Sequence, residues 1–396
     1  MFLVEAITML ALAFLAWHLA LWPALLGRLA PGAGPGRAPD RGDGAVLPRL
    51  AIVVPAHDEA ATIAGKIANT AALDYPADRL RLILVLDGCT DATERVAAAA
   101  LRDPAHRGLE AEVLVLPRNR GKVAALNAGF AAAARADVVI VSDCSADLAA
   151  DAARRLAAAF ADPALGAIGA GYAVREGGAT GEARFWRRQT ALKAAEARIA
   201  APMGLHGACY ALRAGLAAPL PADTINDDFA IPMRLAAAGW RVAHDPTIRV
   251  TEREGSTGGM DFRRRRRIGA GNLQQSLRHV ALADPRRPLL ALVFLSGKGL
   301  RPLVGPAMAV ALAGSAVLGL AGGAGFAALA LAQAGGYLAA ALAGLWPPQD
   351  RPRALRALTY AVVAQLASTL GAVDYLARRH AGPSRRVARP AQSIGG

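Results

Sequence analysis

Acidic residues follow several short apolar runs of this chain and also begin one helical pattern. The clusters that follow apolar runs are Pro55–Glu59 (PAHDE), Asp87–Asp91 (DGCTD) and Asp143–Asp147 (DCSAD), and the acidic pair is Asp227-Asp228. Gathered carboxylates repel one another unless a cation or a polar ligand holds them, and a hard divalent ion carrying a diphosphate would do so. A carboxylate within hydrogen-bond reach of a hydroxyl can also act as a general base.

Helix capping is the alternative interpretation of these acids. Asp91 and Asp147 are plausible N-caps, and Asp227-Asp228 fits an N-cap followed by a first-turn acid. Capping accounts for single clusters more easily than for three at one place. The question is therefore whether the chain brings the clusters together.

Between residues 49 and 160, apolar runs alternate with helical patterns, which predicts a doubly wound and largely parallel sheet. Crossovers in such sheets are right-handed, so the carboxyl ends of the strands share one edge, where ligands bind. The predicted strands in this half are 50–55, 80–86, 111–116 and 137–142, and the predicted helices are 59–72, one from Asp91, 122–135 and 149–160.

Residues 161–285 are less regular and form the second half of the same predicted domain. The predicted strands lie near 166–174, 207–212 and 240–251, and the helices near 182–200, 228–238 and 260–280.

The composition predicts membrane segments around this domain, because 54% of the residues are hydrophobic and only 5% are aromatic. The run 2–26 is long enough to cross a hydrocarbon layer of ~30 Å. It carries Glu5 and lacks a basic n-region, which favours an uncleaved anchor. The predicted organisation is an anchor at 1–27, a linker at 28–48, a catalytic domain at 49–285, an interfacial helix at 286–302, a transmembrane region of two to three spans at 303–378, and a basic tail at 379–396.

The net charge of +14 is best explained by basic residues beside membrane helices on the cytosolic side, and not by a nucleic-acid partner. Arg28, Arg37 and Arg41 follow the first span and place the domain in the cytosol. The predicted location is the cytoplasmic membrane, as a multi-pass protein. A fourth candidate span at 358–377 would put the basic tail outside, so either one span is re-entrant or interfacial, or the tail is an exception.

Several function classes lose support. The chain has no GxxxxGK[ST] after a strand and no GxGxxG at the start of a helix, which argues against a phosphate-loop NTPase and a dinucleotide dehydrogenase. The cysteines Cys89, Cys144 and Cys209 match no metal-ligand spacing and suit buried positions in a reducing compartment. The candidate spans are rich in Ala and Gly and nearly free of charge, which disfavours a transporter.

Five motifs occur in a familiar order: VVPAHDE, LVLDGCTD, RNRGKVAALNAG, VIVSDCSADL and NDDFAIPMRLAAAGWRV. Together they resemble the family 2 glycosyltransferases over about residues 49–280. The resemblance implies an α/β domain of the GT-A fold, which is Rossmann-like with a mostly parallel sheet, and which lies in the cytosol between N-terminal and C-terminal transmembrane helices. It also implies a nucleotide-sugar donor, with a UDP-sugar expected.

The resemblance implies roles for individual residues on the donor side. Pro55, His57, Glu59 and Asp87 would bind the base and ribose. Lys122 belongs to a donor-site signature, and its alternative role is to begin a helix with its charge in water. The metal ligand would be Asp143, which begins the family's DxD motif and would bind Mg²⁺ or Mn²⁺ with the donor diphosphate.

The DxD match departs from the pattern, because Ser145 replaces the second Asp. This replacement puts metal affinity in question and motivates one alternative function, a degenerate transferase that acts as a binding or scaffold protein.

Asp228 would be the general base of an inverting reaction, with Asp227 beside it on the acceptor side. Arg267 would bind the diphosphate bidentately. The related QxxRW motif is altered, because Arg264 replaces its Gln and Ile268 replaces its Trp. The loss of the aromatic residue favours single-sugar transfer over the first alternative to it, a processive polysaccharide synthase; the scaffold protein is the second alternative.

His206 and Gly207 lie in the segment where relatives line the acceptor side. Gly207 would allow close backbone approach, whereas a structural role for His206 remains open. The membrane segments favour a lipid or membrane-associated acceptor, because a site beside the bilayer surface meets such molecules.

Overall fold

The structure is a computed structural model that describes residues 1–29, 47–174, 180–252, 258–347 and 351–379. Most of the predicted linker, including Arg37 and Arg41, lies outside the described residues, and so does nearly all of the predicted basic tail.

A mixed sheet of eight strands forms the centre of the described part of the domain at residues 49–285. Its order is β3-β2-β1-β4-β7-β6-β8-β5. The first four strands in this order are parallel, β6 and β8 are also parallel, and β7 runs antiparallel to both of its neighbours. The strands are β1 (Leu50–Ala56), β2 (Leu80–Asp87), β3 (Glu110–Leu116), β4 (Val138–Ser142), β5 (Ala146–Leu148), β6 (Leu165–Val174), β7 (Cys209–Arg213) and β8 (Arg241–Glu252).

The described α-helices alternate with the strands in the first half and dominate both ends of the chain. They are α1 (Phe2–Ala16), α2 (Trp22–Leu29), α3 (Ile63–Ala71), α4 (Thr93–Arg102), α5 (Lys122–Ala132), α6 (Ala152–Ala159), α7 (Thr180–Ile199), α8 (Asp227–Ala237), α9 (Gly258–Arg278), α10 (Pro288–Phe294), α11 (Val304–Leu320), α12 (Ala324–Ala343) and α13 (Arg353–Leu376).

The central strands are apolar throughout because helices cover both faces of the sheet. Val53 and Ile83 belong to the core on one face, with helices such as α5 and α8 packed against it. Their neighbours Ile52 and Leu82 belong to the core on the other face, where α3 and α6 pack. The prediction of a doubly wound, mostly parallel sheet is confirmed.

Two local predictions were wrong. The helix predicted from residue 149 begins at Ala152, because Ala146–Leu148 forms the short strand β5, which pairs antiparallel with β8. Asp147 therefore lies in a strand and is not an N-cap. The helix predicted from residue 59 begins at Ile63, because residues 59–62 form a turn closed by the Thr62 amide, which donates to the Glu59 carbonyl at 2.9 Å.

Among the residues that the structure describes, four helical stretches are long and apolar enough to cross a membrane: Phe2–Leu29, Pro288–Leu320, Ala324–Ala343 and Arg353–Leu376. The first packs through α1 against α11, and the last packs through α13 against α9. The Arg266 guanidinium on α9 pairs with Asp374 on α13 at 2.5 Å.

The segment predicted as an interfacial helix, 286–302, begins a helical stretch that continues into α11. Val293 and Phe294 in this segment are buried in the core on the face of the sheet where α5 and α8 pack. The apolar helices are thus joined to the domain through side-chain packing as well as through the chain.

Candidate functional site

Asp87 and Asp143 lie at the carboxyl ends of parallel strands and so at one edge of the sheet. Asp87 is buried, and its carboxylate oxygens accept hydrogen bonds from the amides of Arg120 and Gly121 at 2.8 and 2.7 Å. The neighbouring Gly88 has φ of +59°, and a Cβ there would lie 2.1 Å from the Asn119 amide nitrogen. Asp87 therefore fixes the loop that leads into α5.

Lys122 begins α5 directly after this loop and reaches two acids from distant parts of the chain. Its Nζ lies 2.9 Å from Asp143 Oδ1 and 3.6 Å from Asp227 Oδ1. Burial alone would lower the Lys122 pKa, but the charges of Asp143 and Asp227 outweigh it and raise the pKa above its usual value. Lys122 is therefore a permanent cation between the two acidic groups.

Asp227 is buried beneath this contact. The Tyr210 hydroxyl, on β7, donates to Asp227 Oδ2 at 2.9 Å. Burial raises the pKa of Asp227 and the Asp228 charge adds to the rise, while Lys122 opposes it. Asp227 is held by a cation and a hydroxyl and is suited to positioning rather than to free proton exchange.

Asp228 is half-buried in the first turn of α8, after Asn226 at the N-cap. Its backbone carbonyl accepts from the Leu205 amide at 2.7 Å. A Cβ on Gly207 would lie 3.7 Å from both Asp228 Oδ2 and Lys122 Nζ. Asp228, Lys122 and Gly207 therefore border the same space, which the missing side chain of Gly207 keeps open.

The loop after β1 is fastened to the loop after β2. His57 Nδ1 lies 2.7 Å from the Asp87 carbonyl oxygen. Asp58 has φ of +52° and accepts from the Thr90 amide at 2.7 Å, and hydrogen bonds from Thr90 outweigh desolvation to lower the Asp58 pKa. Glu59 is buried and accepts from Thr62 Oγ1 at 2.5 Å.

The predicted donor residues of this loop thus have different environments. Pro55 and His57 are half-buried, whereas Glu59 is turned into the protein. Ligand atoms of His57, Asp58 and Cys89 lie within 4.8 Å of one another. Asp58 Oδ1 already accepts hydrogen bonds from the Thr90 and Asp91 amides, and its Oδ2 accepts from the Thr90 hydroxyl, which disfavours a metal there.

His206 belongs to an aromatic cluster. Its ring stacks on Tyr172 at a centroid distance of 3.7 Å, and Trp186 meets it edge-on at 4.9 Å. Burial and nearby positive charge hold the His206 pKa well below its usual value, so the ring is neutral. Its Nδ1 accepts from the Ala208 amide at 3.2 Å. These contacts give His206 a packing role beside Gly207.

Arg264 and Arg267 lie on α9, which borders the start of α8. The Asn226 Nδ2 donates to the Ile268 carbonyl at 3.3 Å. Arg267 is exposed and interacts electrostatically with Asp228, Asp227 and Asp143. Arg264 lies over the Trp186 ring, with its guanidinium carbon 5.9 Å from the centroid.

Carboxylate oxygens are the ligands that a hard divalent ion prefers, and Asp143 and Asp227 bring two carboxylates to this place. Asp143 is the accessible member, with 25% of its side chain exposed. Ser145 is only 3% exposed and is turned away from solvent. Asp143 would therefore hold Mg²⁺ or Mn²⁺ with little help from Ser145.

Sequence reasoning missed several polar residues that support this site. Lys66 is fully buried on α3, and its Nζ donates to Ser142 Oγ and to the Ala146 carbonyl, both at 2.7 Å, so it spans the turn that carries Asp143. A lysine in a helical pattern gives no sign of burial, because lysines are almost never fully buried unless they are paired. Trp186 was also missed because its partners Tyr172, His206 and Arg264 belong to different elements of the fold.

Comparison with known proteins agrees with this geometry. Residues 51–217 match glycosyl transferase family 2, and residues 138–346 match glycosyl transferase family group 2. An N-acetylglucosaminyltransferase of Rhizobium meliloti (strain 1021) is 27% identical over 233 residues, covering 54% of this chain and 53% of that protein. A beta-monoglucosyldiacylglycerol synthase of Synechocystis sp. (strain ATCC 27184 / PCC 6803 / Kazusa) is 30% identical over 210 residues, covering 49% of this chain and 42% of that protein.

The chain therefore spans about half the length of the curated relatives it matches. Among solved structures, the mannosyltransferase PcManGT from Pyrobaculum calidifontis, in complex with GDP-Man and Mn²⁺, superposes with a TM-score of 0.71 at 24% identity, covering 94% of this chain and 100% of that one. This likeness establishes the GT-A fold. With the second family match covering more than half of the residues, the chain belongs to the family 2 glycosyltransferases.

Proposed function

We propose that this protein transfers a single sugar from a nucleotide-sugar to a lipid or membrane-associated acceptor, with inversion at the anomeric carbon. The observation that carries the proposal is the contact of Lys122 with both Asp143 and Asp227, beside Asp228 and the open space at Gly207. Asp143, the proposed donor-side acid, and Asp227, the proposed acceptor-side acid, then both contact Lys122.

In this mechanism Asp143 and Lys122 lie beside the diphosphate group of the donor. Arg267 approaches the same diphosphate group from α9. A bound Mg²⁺ or Mn²⁺ would neutralise charge on the leaving diphosphate. Solved complexes of the fold relative contain GDP-Man and Mn²⁺, which supports a nucleotide-sugar and a divalent ion here.

Asp228 takes the proton of the acceptor hydroxyl as that oxygen bonds to the anomeric carbon. The bond from that carbon to the diphosphate oxygen breaks, and the nucleoside diphosphate leaves with the bonding electrons. A direct displacement from the opposite face inverts the configuration. The half-buried Asp228 is accessible enough for this role, whereas Asp227 is held by Tyr210 and Lys122.

The acceptor is proposed to be a lipid because, in the described part of the chain, one apolar stretch precedes the domain and three follow it, and α10 packs into its core. The match to a beta-monoglucosyldiacylglycerol synthase also favours a lipid acceptor. We place the protein in the cytoplasmic membrane with its catalytic domain in the cytosol. Ile268 at the position of the QxxRW Trp supports one transfer per acceptor.

A donor screen tests the proposal. Full-length protein in detergent is given labelled UDP- and GDP-sugars with Mn²⁺ and a lipid extract, and products are identified by mass spectrometry and their anomeric configuration by NMR. One donor should give a singly glycosylated lipid of inverted configuration, and EDTA should abolish its formation. A long polymer would instead support a processive synthase, and neither transfer nor hydrolysis of any donor would support a scaffold protein.

A further inference from the structure

Two lysines from different elements border the acceptor side of the site. Lys193 on α7 donates a hydrogen bond to the Leu205 carbonyl. The Lys298 Nζ, from the segment between α10 and α11, lies 4.6 Å from the centre of the Phe229 ring. A Cβ on Gly204, which has φ of +97°, would lie 2.6 Å from this Nζ. Both ammonium groups therefore face the segment 203–207, which ends at Gly207.

The same two lysines are close to the proposed base. The Leu205 amide donates to the Asp228 carbonyl at 2.7 Å, and Phe229 is the next residue of α8. Both lysine charges interact with the Asp228 carboxylate. The lysines are half-buried, so their ammonium groups can still meet a ligand.

Positive charge exceeds negative charge at this place, because Lys193, Lys298 and Arg301 interact with only two acids, Asp228 and Glu196, among the described residues. Burial and the repulsion of Lys298 lower the pKa of Lys193 to about 7. The nearby acid Glu196 accepts from the Met203 amide at 2.8 Å, and burial raises its pKa. Asp228 must be free to take a proton from the acceptor. An anionic ligand would relieve the repulsion between the two ammonium groups.

The lysines lie where two apolar helical stretches meet the domain. Lys298 belongs to the π-helical segment Leu295–Gly299 within the candidate span Pro288–Leu320. The Trp17 Nε1, from the N-terminal stretch, donates to Ser296 Oγ at 2.9 Å. A molecule bound by Lys298 is therefore close to two helices along which acyl or polyprenyl chains can pack.

From these contacts we infer that the acceptor is a lipid whose headgroup carries a phosphate, and that Lys193 and Lys298 bind this phosphate. The inference rests on the proposed transferase function and narrows its acceptor class. The two ammonium groups act as point-charge ligands for phosphate oxygens. The apolar tail of the acceptor extends along the helices that carry Trp17 and Ser296.

The reacting oxygen depends on the source of the phosphate. In a phospholipid with a free headgroup hydroxyl, that hydroxyl bonds to the anomeric carbon and its proton passes to Asp228. In a lipid monophosphate, an ionised phosphate oxygen bonds to the anomeric carbon and no proton is removed. In both cases the nucleoside diphosphate leaves with the electrons of the broken bond.

An acceptor comparison tests the inference. Full-length protein in phosphatidylcholine–detergent micelles is given the labelled donor with phosphatidylglycerol, a polyprenyl monophosphate or diacylglycerol. At least one phosphate-bearing lipid should give a kcat/KM about tenfold or more above that of diacylglycerol, which corresponds to ~1.4 kcal/mol. Comparable use of diacylglycerol would overturn the inference, and the product mass would identify which phosphate source is used.

Nucleoside diphosphate release without any acceptor separates the inference from the underlying function. Donor hydrolysis without transfer to any of the lipids would overturn the phosphate-lipid acceptor while leaving the transferase assignment intact. If the donor is neither hydrolysed nor transferred, the proposed function itself fails.

Charge variants give a second test. Lys298→Gln should raise the KM for the phosphate-bearing lipid about tenfold more than the KM for the donor, and Lys298→Arg should recover most of the loss. Lys193→Gln should also raise the KM for the phosphate-bearing lipid more than the KM for the donor. The matched control is Arg286→Gln, which removes an exposed charge just before α10 and should leave both KM values within about twofold. Equal effects of Lys298→Gln and Arg286→Gln would contradict binding at this place.

Discussion

The ammonium of Lys122 lies 2.9 Å from Asp143 Oδ1, and this contact joins the end of β4 to the start of α5. The loop before Lys122 is itself fixed by Asp87, whose carboxylate accepts from the Arg120 and Gly121 amides. Asp87 and Asp143 are therefore connected through three consecutive residues, Arg120 to Lys122, and one ion pair. The two acids at the strand ends therefore have different roles. Asp87 fixes the loop before α5, whereas the side chain of Asp143 remains accessible to a ligand.

Replacing Lys122 by Met should destabilise the metal-free protein. The substitution leaves Asp143 and Asp227 facing each other without a cation, and the loss of one partner of a partly buried ion pair costs about 2 kcal/mol. The measurement is the thermal unfolding midpoint of the full chain in detergent with EDTA.

Two further variants control the Lys122 experiment. Lys122→Arg keeps the charge and should recover part of the stability. Arg120→Met removes an exposed neighbouring cation and should change the free energy of unfolding by less than about 0.5 kcal/mol. A midpoint for Lys122→Met equal to that of Arg120→Met would show that the ion pair contributes nothing.

Asp228→Asn should lower kcat by about 100-fold or more, because an amide cannot take the proton of an acceptor hydroxyl. The variant is nearly isosteric, so the KM for the donor should remain within about twofold. Steady-state kinetics with the identified donor and a hydroxyl acceptor measure both quantities.

The control for Asp228→Asn is Asp223→Asn, at an exposed acid that pairs with Arg278. It should leave kcat within about twofold, since exposed ion pairs contribute little. If Asp228→Asn raised the donor KM in parallel with its loss of kcat, Asp228 would belong to donor binding rather than to proton transfer.

Gly207→Ala should weaken acceptor binding without unfolding the protein. The new methyl group would lie 3.7 Å from Asp228 Oδ2 and from Lys122 Nζ, which is an ordinary contact distance. It would nevertheless occupy space that the acceptor needs, so the acceptor KM should rise about tenfold, or ~1.4 kcal/mol. Gly215→Ala is the matched control, since a Cβ there meets no atom within 4 Å. Equal acceptor KM values for the two variants would argue against an acceptor site at Gly207.

The sequence predicted the part of the fold that depends on local patterns. Apolar runs such as 50–55 and 80–86 became the parallel strands β1 and β2, because buried strands of this kind need no partner information to be recognised. The three-residue strand β5 escaped prediction because it is too short to show a period and exists only through its pairing with β8.

The sequence allowed a prediction for those residues of the candidate site that directly follow strands, such as Asp143 after β4. The meeting of Asp143 and Asp227 through Lys122 joins residues 21 to 105 positions apart, and the motif order anticipated it only through the family resemblance. Neither a motif nor a position after a strand marked Lys66 and Lys298 as residues near the candidate site. Their roles depend on long-range contacts, with Ser142 and with Phe229 respectively, that no local pattern encodes.

His244 should make the fold sensitive to acid. It is buried on β8, and among the described residues neither ring nitrogen has a hydrogen-bond partner. Burial, with a smaller contribution from the Lys193 charge, lowers its pKa to about 3. The unfolded chain, with a His pKa of about 6.5, then binds one more proton than the folded chain between these values. The contribution of the neutral His244 to the free energy of unfolding is therefore fully present above about pH 6.5. Below that pH the free energy of unfolding falls by up to ~1.4 kcal/mol per pH unit because of this residue.

Two substitutions of His244 separate titration from packing in this prediction. His244→Leu and His244→Gln both remove the titrating ring, so both should flatten the decline of the unfolding midpoint between about pH 6.5 and pH 4.5. Their stabilities at pH 7.5 should differ, because a buried amide without a partner costs about 1–3 kcal/mol more than an apolar side chain. His206, whose pKa is also held low by burial, adds a similar acid sensitivity that both variants retain. A decline as steep as that of the unmodified protein in both variants would assign the acid sensitivity to other groups.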